Sequence, residues 1–308
     1  MYRTTSGEAM AAGTPRRLSG VGTRTMLLAQ ITDTHIGFAG GGADEPNRRR
    51  LDQLVAHIAR LDRAPDALLV SGDLVDKGDA ASYRALRQAL EPLAMPIHFC
   101  LGNHDDRAAF RAMFPETEAD EDGFVQYAVD LGRLRLLVLD TLEEGRHGGS
   151  FCARRAAWLS ARLAEDRTRP TLIMLHHPPF ETGIGWMTTH DDAPWVARLR
   201  GAIAGAENIV GMVAGHIHRP MVTGFGGAPF AVCPSAAPQL ALTLAPVDPS
   251  RPDDRALIVD TPPALALHWW NGRSLVTHFA DADVPAVLAR YDEKLRMMVR
   301  GIMAERPA

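Results

Sequence analysis

From Met26 onward, short apolar runs alternate with amphipathic stretches. Residues 26–31 form a nearly continuous apolar run bounded by polar residues, the pattern of a buried strand. Over residues 47–62, Leu51, Leu54, Val55, Ile58 and Leu61 recur on one stripe, which predicts a helix. Strands follow at 67–70, 97–101, 134–139, 172–175 and 209–213. Between them the period predicts helices over 80–91, stopped by Pro92, and over 106–114, 153–166 and 193–204. Repeated strand–helix units predict a sheet covered by helices. Beyond about Pro220 the style changes to strands at 230–232, 240–244, 256–259 and 264–270, separated by Pro, Asp and Gly. A last helix is predicted over 284–303, with Val284, Val287, Leu288, Tyr291, Leu295, Met298 and Ile302 on one stripe. That stripe is too apolar to face water, so it packs on the sheet or joins copies into a dimer or larger homo-oligomer.

Residues 1–25 stand apart, with Arg3, Arg16, Arg17 and Arg24 against one acid, Glu8, and no apolar period. They are expected to be a disordered leader or to precede a true start at Met26. The Arg-rich, acid-poor makeup is also that of a transit peptide, whereas the apolar segment of a secretory signal is absent. The expected organisation is a leader over 1–25, one domain over 26–280 and a C-terminal helical segment over 281–308.

At 308 residues the chain can bury a full core without disulfide staples. Cys100, Cys152 and Cys233 are too few and too widely spaced for a disulfide framework or a zinc knuckle, which points to reduced thiols and a cytoplasmic location. The formal charge of −4 argues against broad nucleic-acid coating. No apolar run approaches the roughly 20 residues of a spanning helix, so no membrane partner is expected.

The polar residues of interest follow the predicted strands. The first runs into Thr32-Asp33-Thr34-His35, the second into Gly72-Asp73 and the third into Gly102-Asn103-His104-Asp105. Later strands end at His176-His177-Pro178-Pro179 and Gly215-His216-Ile217-His218. Ligands of α/β sheets bind outside the carboxyl ends of strands, so five strand ends bring Asp, Asn and His to one rim. If the extended backbone continues, Asp33 and His35 share a face, as do His216 and His218. Mixed carboxylate, imidazole and amide donors suit Mn, Fe, Co or Zn rather than Ca. With one carboxylate shared, two ions would activate a water between them. Two divalent ions bring four positive charges, while Asp33, Asp73 and a bridging hydroxide remove three. The remaining charge suits a phosphate ester anion.

Together these motifs resemble the full set of the calcineurin-like metallophosphoesterases. The His-His-Pro-Pro stretch and the chain length resemble the branch of class III cyclic nucleotide phosphodiesterases and glycerophosphodiesterases. The resemblance covers about residues 26–220 by motif. It implies an α/β fold, a four-layer αββα sandwich of two mixed sheets flanked by helices, with the C-terminal helix appended. It further implies two divalent ions, Mn or Fe first and Zn or Co as alternatives. By position, Asp33, His35, Asp73 and His218 would hold one ion, and Asp73, Asn103, His176 and His216 the other. His104 would face the scissile phosphate and Asp105 would orient a histidine from behind. The choice of His176 over His177 follows the family pattern alone.

The expected activity is hydrolysis of a small phosphodiester, a 3′,5′-cyclic nucleotide such as cyclic AMP first, by in-line attack of a metal-bridging hydroxide. Glycerophosphodiesters and 2′,3′-cyclic nucleotides are the alternative. A protein phosphatase is disfavoured by Asp76-Lys77-Gly78 and Asp105 where that branch has Asp-Arg-Gly and Glu. A DNA nuclease lacks its basic patch here, and a non-catalytic scaffold would not need every ligand.

Other features read as structural. Gly40-Gly41-Gly42 and Gly224-Phe225-Gly226-Gly227 lack a following Gly-Lys-Ser/Thr and are expected as loops near the site mouth. His57, His98, His147, His190, His268 and His278 match no ligand position, with His147 and His190, in loops, the best exceptions. Trp269-Trp270 suggests packing, and Arg48-Arg49-Arg50 a solvated helix face.

Overall fold

The apolar runs close into two sheets. The computed structural model describes residues 25–40, 44–283 and 285–305. The leader expected over 1–25 therefore lies almost wholly outside the described residues, as do Gly41 and Gly42. The strands are β1 (Met26–Ile31), β2 (Ala67–Ser71), β3 (Ile97–Cys100), β4 (Tyr127–Asp130), β5 (Arg135–Val138), β6 (Thr171–Met174) and β7 (Ile209–Ala214). They continue with β8 (Met221–Phe225), β9 (Ala228–Val232), β10 (Gln239–Leu240), β11 (Ile258–Val259), β12 (Ala264–Trp270) and β13 (Leu275–Asp281). The helices are α1 (Pro46–Ala59), α2 (Ala80–Leu90), α3 (Arg107–Met113), α4 (Ala153–Glu165), α5 (Pro194–Ile203) and α6 (Glu293–Ala304). Their starts follow from capping chemistry. The Glu45 carboxylate accepts the amides of Asn47 and Arg48 ahead of Pro46, and Asp79 accepts those of Ala81 and Ser82.

One sheet has the order β13-β12-β1-β2-β3 and the other β4-β5-β6-β7-β9-β8, with β10 and β11 forming a separate pair. Strands β1, β2 and β3 run parallel, with Leu28 opposite Ala67 and Leu68 opposite Ile97. Strands β5, β6 and β7 also run parallel. Alternation in the second sheet then sorts the core. Leu136, Val138, Leu172 and Met174 join one apolar cluster with Leu28 and Val70 of the first sheet and with Leu54 and Leu86 of α1 and α2. Their neighbours Leu137, Leu139, Ile173 and Leu175 join another cluster with Leu159 and Leu199 of α4 and α5. The two sheets thus face each other with helices outside both, the expected αββα order.

Three strands carry no clear sequence pattern, namely β4, β8 and β13. The C-terminal helix is shorter than its stripe suggested. Residues 285–292 are not helical, and α6 begins where the Asp292 carboxylate accepts the amides of Lys294 and Leu295. It buries none of its side chains, and Met297, Ile302 and Met303 stand exposed, so α6 does not pack on the sheet. Arg50 departs from the solvated face expected of it. Its guanidinium donates to the carbonyls of Ala236, Ala237 and Thr261 and clamps the chain after β9 against α1.

Candidate metal centre

All five predicted strand ends lie on one rim, and the chain leaves the strands by left-handed turns. Among the described residues, six that are not glycine have positive φ. Five are Asp33 (51°), His35 (42°), Asp73 (47°), His216 (70°) and His218 (54°), each expected as a ligand, and the sixth is Asp254. A side chain in this region costs roughly 1–2 kcal/mol. Such strain persists where the surroundings over-determine it. Here the Asp33 and His35 amides donate to the carbonyls of Gly72 and Asp73, and those of Ala236 and Ala237 to the carbonyls of Thr32 and Asp33. The extended backbone expected through Asp33-x-His35 and His216-x-His218 is not what converges these pairs. Left-handed residues turn each side chain inward instead.

Glycines make the room. A Cβ on Gly102 would stand 2.2 Å from Asp73 Oδ1 and 2.6 Å from His176 Nε2, and one on Gly72 2.4 Å from His176 Nδ1. The motif glycines before Asp73 and Asn103 therefore let ligand side chains pass close to backbone.

Within this space Asp33, His35 and His218 bring donor atoms together, as do Asp33, Asp73 and His176, and His176, His177 and His216. His35 Nε2 lies 3.2 Å from His218 Nε2 and 3.6 Å from Asp73 Oδ2. His218 Nε2 lies 3.2 Å from Asp33 Oδ1, and His176 Nε2 3.3 Å from Asp73 Oδ2. Two donors on one ion at about 2.1 Å are about 3.0–3.4 Å apart, so most of these spacings match. The tautomers agree. His176 Nδ1 donates to the Ser71 carbonyl and His218 Nδ1 to that of Pro238, which turns each Nε2 toward the site. Most tellingly, His177 Nε2, His216 Nδ1 and Asn103 Oδ1 are buried without a hydrogen-bond partner, while His176 Nε2 faces the Asp73 carboxylate. Buried polar atoms are almost always paired, and three orphans beside that pair fit a cation.

The electrostatics point the same way. Burial, with the neighbouring histidines, holds His177 and His216 well below the usual imidazole range and so keeps their lone pairs. Burial also opposes charge on His176, but the Asp73 carboxylate outweighs it and raises the pKa to about 9. For Asp73, burial favours the neutral acid, yet His176, His35 and His104 hold its pKa well below the usual range. The metal-free site is an ion-pair network that a cation would reorganise with proton release.

His104 stands at the edge, as expected. Its amide donates to Asp73 Oδ1 at 2.9 Å and its Nδ1 to the Asp76 carbonyl at 2.8 Å, while its side chain is 33% exposed. Asp105 needs correction, since no histidine is oriented by it. Its carboxylate accepts from the amides of Leu74 and Gly102 and from the Tyr83 hydroxyl, and so ties the loops bearing Asp73 and Asn103 together. Burial, then the charge of Asp73, raises its pKa to about 7.

One residue was missed. Asp76 places Oδ1 3.7 Å from His35 Nδ1 and 3.8 Å from His104 Nδ1, and its signal was the Gly-Asp-x-x-Asp spacing. His147, one of the two loop histidines set apart from the structural ones but given no role, reaches the site from the loop before α4. Its Nδ1 lies 3.1 Å from Asn103 Nδ2, and its ring centroid 5.0 Å from that of His216. Gly226 and Gly227 form the β8–β9 hairpin instead of a site loop, since β9 runs parallel to β7 and the hairpin precedes its start.

Two facing sheets whose parallel strands deliver Asp, Asn and His to one rim define a metallohydrolase-type architecture. The family model of calcineurin-like phosphoesterases matches residues 26–220, and the chain belongs to that family. A cAMP/cGMP dual specificity phosphodiesterase of Mycobacterium tuberculosis is 33% identical over 231 residues, which are 71% of this chain and 70% of that protein. The glycerophosphodiester phosphodiesterase GpdQ of Enterobacter lignolyticus is 30% identical over 264 residues, which are 82% of this chain and 90% of GpdQ. A dimetal phosphatase from Danio rerio shares the fold with a TM-score of 0.57 at 15% identity, covering 82% of this chain and 98% of that one. No helix among the described residues is long and apolar enough to cross a membrane.

Proposed function

We propose that this protein is a binuclear metal-dependent phosphodiesterase acting on small diesters, with a 3′,5′-cyclic nucleotide as leading substrate. The observation that carries this reading is the pair of orphaned donors on His216 and Asn103 clustered with His176, Asp33 and Asp73. Asp33, His35, Asp73 and His218 would hold one divalent ion, and Asp73, Asn103, His176 and His216 the other, Mn or Fe being the best match to the donor set. His176 is preferred to His177 because only His176 has a short contact to Asp73. Bound ions would supply a water of lowered pKa and neutralise charge on the phosphoryl oxygens. The protein's own part is orientation. Asp73 is held by the His104 amide, and His104, anchored through Nδ1, can touch the ester and assist the leaving oxygen.

Two carboxylates among the ligands leave a site matched to a monoanionic diester rather than a dianionic monoester. The cyclic-nucleotide relative supports the leading substrate, and the long match to GpdQ supports glycerophosphodiesters as the second reading. A hydrolysis panel with added Mn separates them: cyclic AMP, 2′,3′-cyclic AMP, a glycerophosphodiester, an aryl diester and its monoester. The reading requires diesters to turn over faster than the monoester, and a monoester preference would overturn it. Self-association and a cytoplasmic site of action complete the proposal. The exposed apolar side chains of α6 support the former, and a monomeric sedimentation profile at micromolar concentration would count against it.

A further inference from the structure

A polar chain runs through the apolar core behind the site. Gln30, next to the C-terminal end of β1, is fully buried, and so are Ser71 and His268. His268 Nε2 lies 2.9 Å from Gln30 Oε1, and His268 Nδ1 2.8 Å from Thr277 Oγ1. Gln30 Nε2 lies 2.7 Å from Ser71 Oγ and 3.1 Å from the Ala214 carbonyl. The chemistry of each group fixes the direction of every bond. Gln30 Oε1 can only accept, so His268 carries its proton on Nε2 and its Nδ1 accepts from the Thr277 hydroxyl. Both protons of the Gln30 amide are then committed, one to β2 and one to β7. A flipped amide would set oxygen against the Ala214 carbonyl, which can only accept, so that carbonyl fixes the orientation and His268, as donor to Oε1, holds it.

The groups that Gln30 grips are positioned with regard to the site. Ala214 precedes Gly215-His216, and Ser71 precedes Gly72-Asp73. The Ser71 carbonyl also accepts from His176 Nδ1 and from the Thr32 hydroxyl, which itself contacts Asp33. We propose that Gln30 is a positioning residue of the metal centre, its amide held by His268, and that it ties the ligand-bearing end of β7 to those of β1 and β2 across the gap between the sheets. An apolar side chain would fill the same volume but would remove the side-chain bond that joins the end of β7 to the paired ends of β1 and β2. This rests on the metal reading of the site. Partners bonded directly to a metal ligand change affinity by about 10–100-fold when lost, and Gln30 acts one bond further out, through Ser71, so the lower end of that range applies.

The test is Mn binding to the full, metal-stripped chain, followed by the electron paramagnetic resonance signal of free Mn. Gln30→Met is expected to weaken binding by about tenfold, with kcat restored toward wild type at saturating Mn and KM unchanged. His268→Phe keeps Gln30 but frees its amide, and is expected to weaken binding in the same direction by less. This second variant decides the matter if Gln30→Met does not fold. Asn208→Ala is the structural control. It removes a comparable polar link, from Asn208 Nδ2 to the carbonyls of Asp166 and Arg169, at the opposite ends of the strands. It is expected to lower stability but leave Mn affinity within about twofold, since distant sites act independently. Wild-type affinity in both Gln30→Met and His268→Phe, or an equal loss in Asn208→Ala, would overturn the inference. A wild-type chain that takes up no Mn would overturn the metal reading itself.

Discussion

The left-handed backbone of the ligand residues makes a prediction whose sign is the test. At His218, φ is 54°, and the residue is not glycine. Compare His218→Gly with His218→Ala in metal-free protein. Both lose the imidazole, its bond to the Pro238 carbonyl and its contact with Asp33, so those losses cancel. What remains is one Cβ in a left-handed residue. The Cβ costs roughly 1–2 kcal/mol in the folded state. Against that, alanine restricts the unfolded chain and gains about 0.4–1 kcal/mol over glycine. The glycine variant should therefore be more stable by about 1 kcal/mol, the reverse of the usual order. Urea unfolding followed by tryptophan fluorescence in excess chelator reads the difference. With a slope of about 3 kcal/mol per molar for a chain of this size, the midpoint should rise by about 0.3 M. At Ala157, exposed inside α4, the same pair must order the other way, with glycine less stable by about 1 kcal/mol. If alanine equals or exceeds glycine at position 218, the ligands are not held under backbone strain.

Other outcomes follow from the same geometry. Gly102→Ala places a Cβ 2.5 Å from the Asp73 amide nitrogen, which cannot yield as a side chain does, so it should cost about 1–3 kcal/mol in thermal unfolding and weaken metal binding at least tenfold by titration, about the effect of losing a supporting contact. Burial lowers the His268 pKa to about 4 from 6.5, so its stabilising contribution is full above pH about 6.5 and is lost as pH falls toward 4. Metal-free wild type should therefore lose about 3 kcal/mol relative to His268→Phe between pH 7 and pH 4, and parallel stability curves would refute this. His104→Ala should keep the bound metal by elemental analysis and lose roughly 10²–10⁴-fold in turnover for a poor leaving group, with a smaller loss for an aryl ester.

The sheets were legible because β1, β2, β3, β6 and β7 are short apolar runs that break into polar or glycine-bearing turns, and the site because every ligand falls within four residues of one of those strand ends. Strand β8 escaped because its middle residues are exposed and do not alternate, and β13 because both of its faces are partly open to solvent. Strain at Asp33 and His35 escaped because an Asp-x-His spacing reads as extended chain, whereas tertiary amide bonds impose the left-handed turn. Asp105 looked like a histidine partner because it follows His104, but its carboxylate points back to the Leu74 and Gly102 amides. The pairing of Gln30 with His268 spans 238 residues, and a glutamine inside an apolar run shows nothing of a partner that distant. The stripe ahead of α6 misled because Asp292 offers a cap that starts the helix later.

The central claim is that Asp33, His35, Asp73, Asn103, His176, His216 and His218 hold two ions with Asp73 shared. Elemental analysis of the full chain after stripping, reconstitution with Mn and desalting tests it most directly, with Asp73→Ala alongside. The account predicts two ions per wild-type chain and loss of both in Asp73→Ala. Less than one ion per wild-type chain, or an Asp73→Ala variant that keeps two, would contradict it.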